Sequence, residues 1–213
     1  QLISHKFENE RQILSIRFRG KKYDFKLNLI GKLQIKNLLM AILCAAKNGI
    51  KLNNIIKILH KINPVEGRLE KIGSIKNNSR VILDYAHTPI ALETTLKNLK
   101  EQFPSSKISL VFGCGGDRDF KKRFAMGKIA EKYSNKIYLT DDNPRNENPS
   151  KIRKEIKRGI KKTKILEITK RNEAIYRAIN ELNSGDLLLV AGKGHEKTQD
   201  YGTKNFFFSD QEE

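Results

Sequence analysis

From residue 81 onward the chain alternates between short apolar runs and longer stretches with helical spacing. Apolar runs at 81–84, 108–112, 137–139, 165–168 and 187–190 read as buried strands. Between them, apolar residues recur with helical spacing over about 90–102, 123–133, 149–161 and 171–182. Five strands alternating with four helices predict an α/β fold, a Rossmann-like and mostly parallel sheet with right-handed crossovers. Residues 69–75 are expected to pair antiparallel with the first strand through a turn at 76–79, and 206–208 to close the other edge.

The first sixty-odd residues follow a different pattern. Residues 13–18 and 23–29 read as a hairpin turning at Arg19-Gly20-Lys21-Lys22. A helix is predicted over 36–48, with Gly49 as its C-cap, and a second over 54–62, capped by Asn53 and stopped by Pro64. A hairpin and two helices have little to pack against on their own, so they look like the tail of a preceding domain. Residues 63–68 look like a linker, which sets the expected domains at 1–66 and 67–213. Gln1 stands where an initiator Met is expected, and the whole is expected to be a fragment of a longer protein.

Composition narrows the function classes. With 213 residues, 38% apolar and 31% charged, the chain fits a soluble globular protein. The net charge of +18 invites a nucleic-acid reading, but the lysines are scattered through nearly every segment and not gathered with Arg and aromatics on one face. No specific nucleic-acid partner is expected. Cys44 and Cys114 form neither a metal-ligand spacing nor a disulfide framework, which fits a reducing cytosol. The longest apolar run, 38–46, is about half a membrane span. No secretory signal is visible, so a cytoplasmic location without membrane insertion is expected.

The chemistry-bearing residues follow the strands, where open parallel sheets bind ligands. After the first strand comes Asp84-Tyr-Ala-His-Thr-Pro89. Helix capping accounts for Thr88 and Pro89 but leaves Asp84 and His87 free to meet a metal-bound nucleotide or an amine. After the second comes Gly113-Cys-Gly-Gly-Asp-Arg-Asp119, where glycines admit an anion to the backbone and Arg118 can clamp a carboxylate or phosphate. Lys121, Lys122 and Arg123 close behind favour an anion site. After the third, Asp141-Asp-Asn-Pro-Arg145 joins acids for an ammonium to an arginine for a carboxylate. After the fifth, Ala191-Gly-Lys-Gly-His-Glu196 lacks P-loop spacing but offers small residues and a further ammonium partner, Glu196. His195 alone supports a structural and a functional reading equally.

These segments, with Val65-Glu-Gly-Arg68, occur in one order and resemble the Mur ligases from about Gly31 onward. The Asp142-Asn-Pro-Arg145 version resembles the branch that adds meso-diaminopimelate to UDP-N-acetylmuramoyl-L-alanyl-D-glutamate for peptidoglycan. The resemblance implies that Arg118, Asp142, Asn143, Pro144, Arg145, Gly192 and Glu196 bind diaminopimelate, and that Asn37, Arg68 and Asp84 lie near the nucleotide. It implies ATP and Mg²⁺ as cofactors and amide formation through an acyl phosphate, with residues 1–66 as the end of the central ATP-binding domain. Gln34 departs from the family's usual asparagine. The family's phosphate loop and magnesium ligands are not found in this sequence, so no catalytic or metal residue is assigned and the chain alone is expected to be inactive. A stand-alone module binding a diamino acid or nucleotide is the alternative.

Overall fold

The computed structural model describes residues 1–8, 10–75 and 78–213, with the backbone alone at 74 and 75. Its first part is a three-stranded antiparallel sheet, β1 (Leu2–Glu8), β2 (Arg11–Phe18) and β3 (Lys21–Leu27), in that order. Two helices follow, α1 (Lys32–Lys47) and α2 (Leu52–Ile58), and a 3₁₀ turn at Leu59–Lys61. The expected hairpin is therefore one strand short. β1 is mostly exposed, so its polar, poorly alternating sequence carries no strand signal. The expectation that this region has little to pack against also fails. Leu14, Phe25 and Leu27 of the sheet bury against Ile35 and Leu38 of α1 and Ile55 of α2 in a core of their own. The cap of α2 is Lys51 and not Asn53, which lies inside the helix.

The second part is a six-stranded sheet. Its strands are β4 (Glu70–Ile75), β5 (Ser79–Asp84), β6 (Ile108–Phe112), β7 (Lys136–Leu139), β8 (Lys164–Glu167) and β9 (Leu187–Ala191), ordered β4-β5-β9-β6-β7-β8. β5, β9, β6, β7 and β8 run parallel, and β4 pairs antiparallel with β5 as expected. The turn expected at 76–79 lies partly outside the described residues, at 76 and 77.

Period-two alternation sorts each strand between two cores. Ile108, Leu110 and Phe112 of β6, with Leu187 and Leu189 of β9, face α3 (Pro89–Gln102), α4 (Lys121–Tyr133) and α5 (Pro149–Lys157). Val111, Leu188 and Val190 face the other way, onto Ala174, Ile175 and Ala178 of α6 (Arg171–Asn180). Helix α5 ends four residues before the expected 161, as Gly159 weakens the last predicted turn. The edge expectation for 206–208 also fails. β10 (Thr198–Asp200) and β11 (Asn205–Phe207) form a separate antiparallel hairpin, while Phe208 packs into the α6-side core.

The two parts meet along α3. Gly31 N–H donates to Gln102 Oε1 at 2.8 Å and Leu33 N–H to Asn98 Oδ1 at 3.2 Å, while Glu10 pairs with Lys71 and Arg80. Thiol chemistry gives a check on the burial pattern. Cys114 is buried and burial pushes its thiol up to about 12, whereas Cys44 is exposed. Raising a thiol's pKa removes the reactive thiolate, and at pH 8 Cys114 stays protonated. Iodoacetamide at that pH is expected to label Cys44 alone in the folded chain and both thiols after denaturation, read by intact mass. Rapid double labelling of the folded chain would contradict the core described.

Candidate functional site

Because β9 lies between β5 and β6, the loops after β5, β9, β6 and β7 crowd one edge of the sheet. This is the crevice in which open α/β sheets take ligands. Two adjoining clefts open there and share Thr88, whose hydroxyl caps α3 by accepting from Ala91 N–H at 3.3 Å.

The smaller cleft, about 510 Å³, is lined by Arg118, Asp142, Asn143, Arg145, Gly192 and Glu196 together with Tyr85 and His87. Six of the seven residues expected at the diamino acid therefore face one space. Pro144 does not line it. Its carbonyl instead backs the glycine-rich turn, where a Cβ on Gly116 would sit 1.9 Å from that oxygen. The two loops also join through Gly116 N–H to Asn143 O at 2.9 Å.

Arg145 adopts a left-handed backbone, φ 51°, an uncommon conformation for a residue with a side chain. Its N–H donates to Asp200 O at 3.0 Å, its Nη1 to Gly116 O at 2.8 Å, and its Nε lies 3.5 Å from Asp200 Oδ2. Nη2 makes no hydrogen bond among the described residues and remains for an anion. Arg118 is exposed and forms no ion pair among them. Asp142 Oδ1 accepts its neighbour's N–H at 2.8 Å, whereas Oδ2 is buried with no partner among the described residues and lies against Gly192. Glu196 Oε1 accepts from Tyr85 O–H at 3.2 Å. Two guanidinium groups, one of them partly engaged by Asp200, and two acidic groups thus converge on one cavity.

Other expected contacts prove structural. Asp141 pairs with Arg153 and accepts from Tyr201 O–H at 3.2 Å. Burial raises the Asp141 pKa against the pull of Arg153, and burial beside Asp141 pushes the Tyr201 phenol up to about 12. Arg123, read as part of an anion site, is 1% exposed and is held by Glu147 and Glu155, each at 2.8 Å. Sequence gave no sign that those glutamates would reach it.

The larger cleft, about 760 Å³, lies between α1 and α3 and gathers Asn37, Arg68 and Asp84, the residues expected near a nucleotide. Leu33, Val65 and Ile90 supply apolar walls. Arg68 lies 4.5 Å over the Tyr85 ring, which also borders the smaller cleft. Asp84 is 8% exposed and accepts from Leu69 N–H, Ala86 N–H and Thr95 O–H. Burial raises its pKa, opposed by those hydrogen bonds. It fastens the linker to the sheet and keeps one acceptor site on Oδ2. Gln34 lines the same cleft, and its side-chain amide donates to Arg68 O at 2.7 Å. His87 borders the smaller cleft, its Nδ1 lying 2.8 Å from Tyr85 O, and the His195 ring lies 5.3 Å from that of Tyr85, tilted by 40°. Tyr85, at the border of the smaller cleft, and Lys193, buried with its Nζ 3.1 Å from Glu196 Oε2, were not expected to take part. Their position inside two of the motifs was the only available signal.

A doubly covered, mostly parallel α/β sheet with paired clefts at its strand ends sets the class of protein. Comparison with known proteins narrows it. A family model described as Mur ligase, glutamate ligase domain, matches residues 67–194. The UDP-N-acetylmuramoyl-L-alanyl-D-glutamate--2,6-diaminopimelate ligase of Rickettsia montanensis is 46% identical over 202 residues, 94% of this chain and 41% of that protein. A solved structure of a ligase of the same description aligns with TM-score 0.73 and 32% identity, covering 98% of this chain and 43% of that one. The MurF ligase of Thermotoga maritima, solved with ADP, shares the fold at TM-score 0.67 and 18% identity over 89% of this chain and 42% of that one. The chain belongs to the Mur ligase family. It spans about two fifths of the length of the curated relatives it matches.

Proposed function

We propose that the full-length protein is an ATP-dependent amide ligase adding meso-diaminopimelate to UDP-N-acetylmuramoyl-L-alanyl-D-glutamate in peptidoglycan precursor synthesis. In this reading ATP phosphorylates the D-glutamyl side-chain carboxylate. An amine of diaminopimelate then attacks the acyl carbon, forming the amide and releasing phosphate. The observation carrying the reading is the convergence of Arg118, Arg145, Asp142 and Glu196 on one cleft, charges matched to a molecule with two carboxylates and two ammonium groups. Arg145 holds the distal carboxylate, Arg118 takes an anionic group at the mouth, and Glu196 and Asp142 hold the distal ammonium. Lysine lacks the distal carboxylate and would leave Arg145 Nη2 without an acceptor, a mismatch that discriminates strongly. The family relationship and the printed names of the relatives support the same substrate.

ATP is assigned to the larger cleft, where Asn37 and Arg68 stand beside apolar walls that suit a base, and the ADP-bound relative supports a nucleotide. Mg²⁺ is a different matter. Among the described residues no group of three or more His, Cys, Asp or Glu is placed to hold a metal ion, and Mg²⁺ commonly takes one or two protein carboxylates beside the phosphates. The proposal places phosphate chemistry and its ion in the part of the relatives that this chain does not span. Among the described residues no helix is long and apolar enough to cross a membrane, and we place the reaction in the bacterial cytoplasm.

The test is direct. Full-length protein supplied with the muramoyl dipeptide, diaminopimelate, ATP and Mg²⁺ should extend the dipeptide by the mass of diaminopimelate less one water and release ADP and phosphate, with lysine a far poorer substrate. Equal use of lysine would defeat the assignment. The chain of residues 1–213 alone should show no ATP turnover. Turnover by it would contradict the division of labour proposed, and diaminopimelate binding without ligation by the full-length protein would favour a binding module.

A further inference from the structure

Behind Asn143 and Glu196, which line the smaller cleft, lies a buried cation that this account of the substrate does not use. Lys193 is fully buried, with a relative exposure of 0%, and its Nζ meets Asn143 Oδ1 at 2.9 Å, Glu196 Oε2 at 3.1 Å and Thr198 O at 2.6 Å. An ammonium has three N–H donors, and three acceptors are in place for them. Burying a charge is costly unless it is fully hydrogen-bonded, and an apolar residue of similar volume would often pack at least as well. Glu196 and Thr198 follow Lys193 closely in the chain, whereas Asn143 lies 50 residues earlier, so one side chain ties the segment after β9 to the loop after β7.

The tie fixes direction as well as distance. Asn143 Oδ1 receives both Lys193 Nζ and Asp200 N–H, the latter at 3.0 Å. With two donors aimed at one end of the amide, a flipped Asn143 would set its NH₂ against them, so Nδ2 must point away, and it donates to Glu196 Oε2 at 2.9 Å. Glu196 Oε2 is thereby occupied twice over, while Oε1 carries only the Tyr85 hydroxyl and stays open toward the cleft. One Nδ2–H of Asn143 is likewise without a partner among the described residues. We propose that Lys193 is a positioning residue for amino-acid binding, orienting Asn143 and Glu196 so that one amide N–H and one carboxylate oxygen face the ligand. The inference rests on reading this cleft as the amino-acid site.

The experiment is a double-mutant cycle in the full-length protein with Lys193→Met, Glu196→Gln and both together, measuring KM for the diamino acid and for ATP. Lys193→Met is expected to raise KM for the diamino acid about tenfold or more, the worth of a hydrogen bond to a charged group, and KM for ATP less than about twofold. The double variant should lose clearly less than the product of the two single losses, since much of the Lys193 effect passes through Glu196. Equal rises in both KM values, or losses that multiply, would overturn the proposal. Should Lys193→Met fail to fold, the wild-type protein supplies the measurement through the ¹⁵N resonance of the Lys193 ammonium. A protected signal that shifts with diaminopimelate and not with ATP is expected, and an unprotected or unresponsive one refutes the role. Wild-type kinetics with diaminopimelate and with lysine separate the two ideas. If lysine is preferred, the diaminopimelate reading fails and the cycle is measured on lysine, whose ammonium still requires Glu196.

Discussion

Replacing Arg145 by alanine in the full-length protein is expected, on the proposed function, to raise KM for diaminopimelate about 100-fold while leaving KM for ATP within about twofold, because truncating one partner of a partly buried charge pair costs some 2–5 kcal/mol. Three features support so large an effect. The guanidinium already donates to Gly116 O and lies beside Asp200, so little side-chain freedom remains to be lost on binding. Its left-handed backbone is maintained by the N–H bond to Asp200 O, outside the cleft. The larger cleft, where ATP is assigned, shares Thr88 with this one but not Arg145. Arg145→Lys should recover only part of the loss, since an ammonium cannot make the bidentate contact. Steady-state kinetics with each substrate varied in turn decides the matter, and equal rises in both KM values would remove Arg145 from the amino-acid end.

The second large effect concerns stability. Arg171 and Asp210 are both fully buried, joined through Nε at 2.6 Å and Nη2 at 2.7 Å, and Nη2 also donates to Ala191 O at 3.0 Å. Burial works against the charged guanidinium, but Asp210 beside it keeps its pKa above the usual arginine value. Arg171→Met would strand a carboxylate in the interior, at a cost of about 3–5 kcal/mol. In a protein of this size that is a fall in Tm of roughly 10 °C. Arg171→Met combined with Asp210→Leu removes both charges and should recover much of the loss, since buried pairs often exchange for apolar residues at little net cost. Thermal unfolding followed by circular dichroism gives both numbers. A single variant as stable as the parent would mean that the pair contributes nothing to the fold.

What could be read in advance follows from where the information lies. The strands β5, β6, β7 and β9 are continuous apolar runs because both faces of the sheet are covered, and such runs stand out in any sequence. The loops after them are where the candidate site is expected, and Asp142, Asn143, Arg145, Gly192 and Glu196 line one cleft. Long-range electrostatics was not legible. Arg123 and Arg118 stand five residues apart with the same chemistry, yet one is 1% exposed between two glutamates and the other is free at the cleft mouth. The identity of their partners, 24 and 32 residues further along for Arg123, is a property of the folded chain. Lys193 was hidden in part for the same reason, since a lysine between glycines signals an exposed turn until Asn143, 50 residues earlier, closes over it. The hairpin of β10 and β11 was misplaced because an aromatic pair reads as an edge strand, although Phe206 and Phe207 are largely exposed.

The order of the six-stranded sheet has a consequence for how the chain is made. β9 occupies the slot between β5 and β6, yet it is the last of these strands to leave the ribosome, with residues 113–186 synthesised between β6 and β9. Until it arrives, the flanking strands have unpaired edges facing each other across a gap, exposing hydrogen-bonding groups of the kind that recruit foreign strands. Such non-local pairing slows folding and lengthens exposure to aggregation. A nascent chain halted after β8 would therefore present an open wound in its sheet, and the segment ending at Ala191 is what closes it.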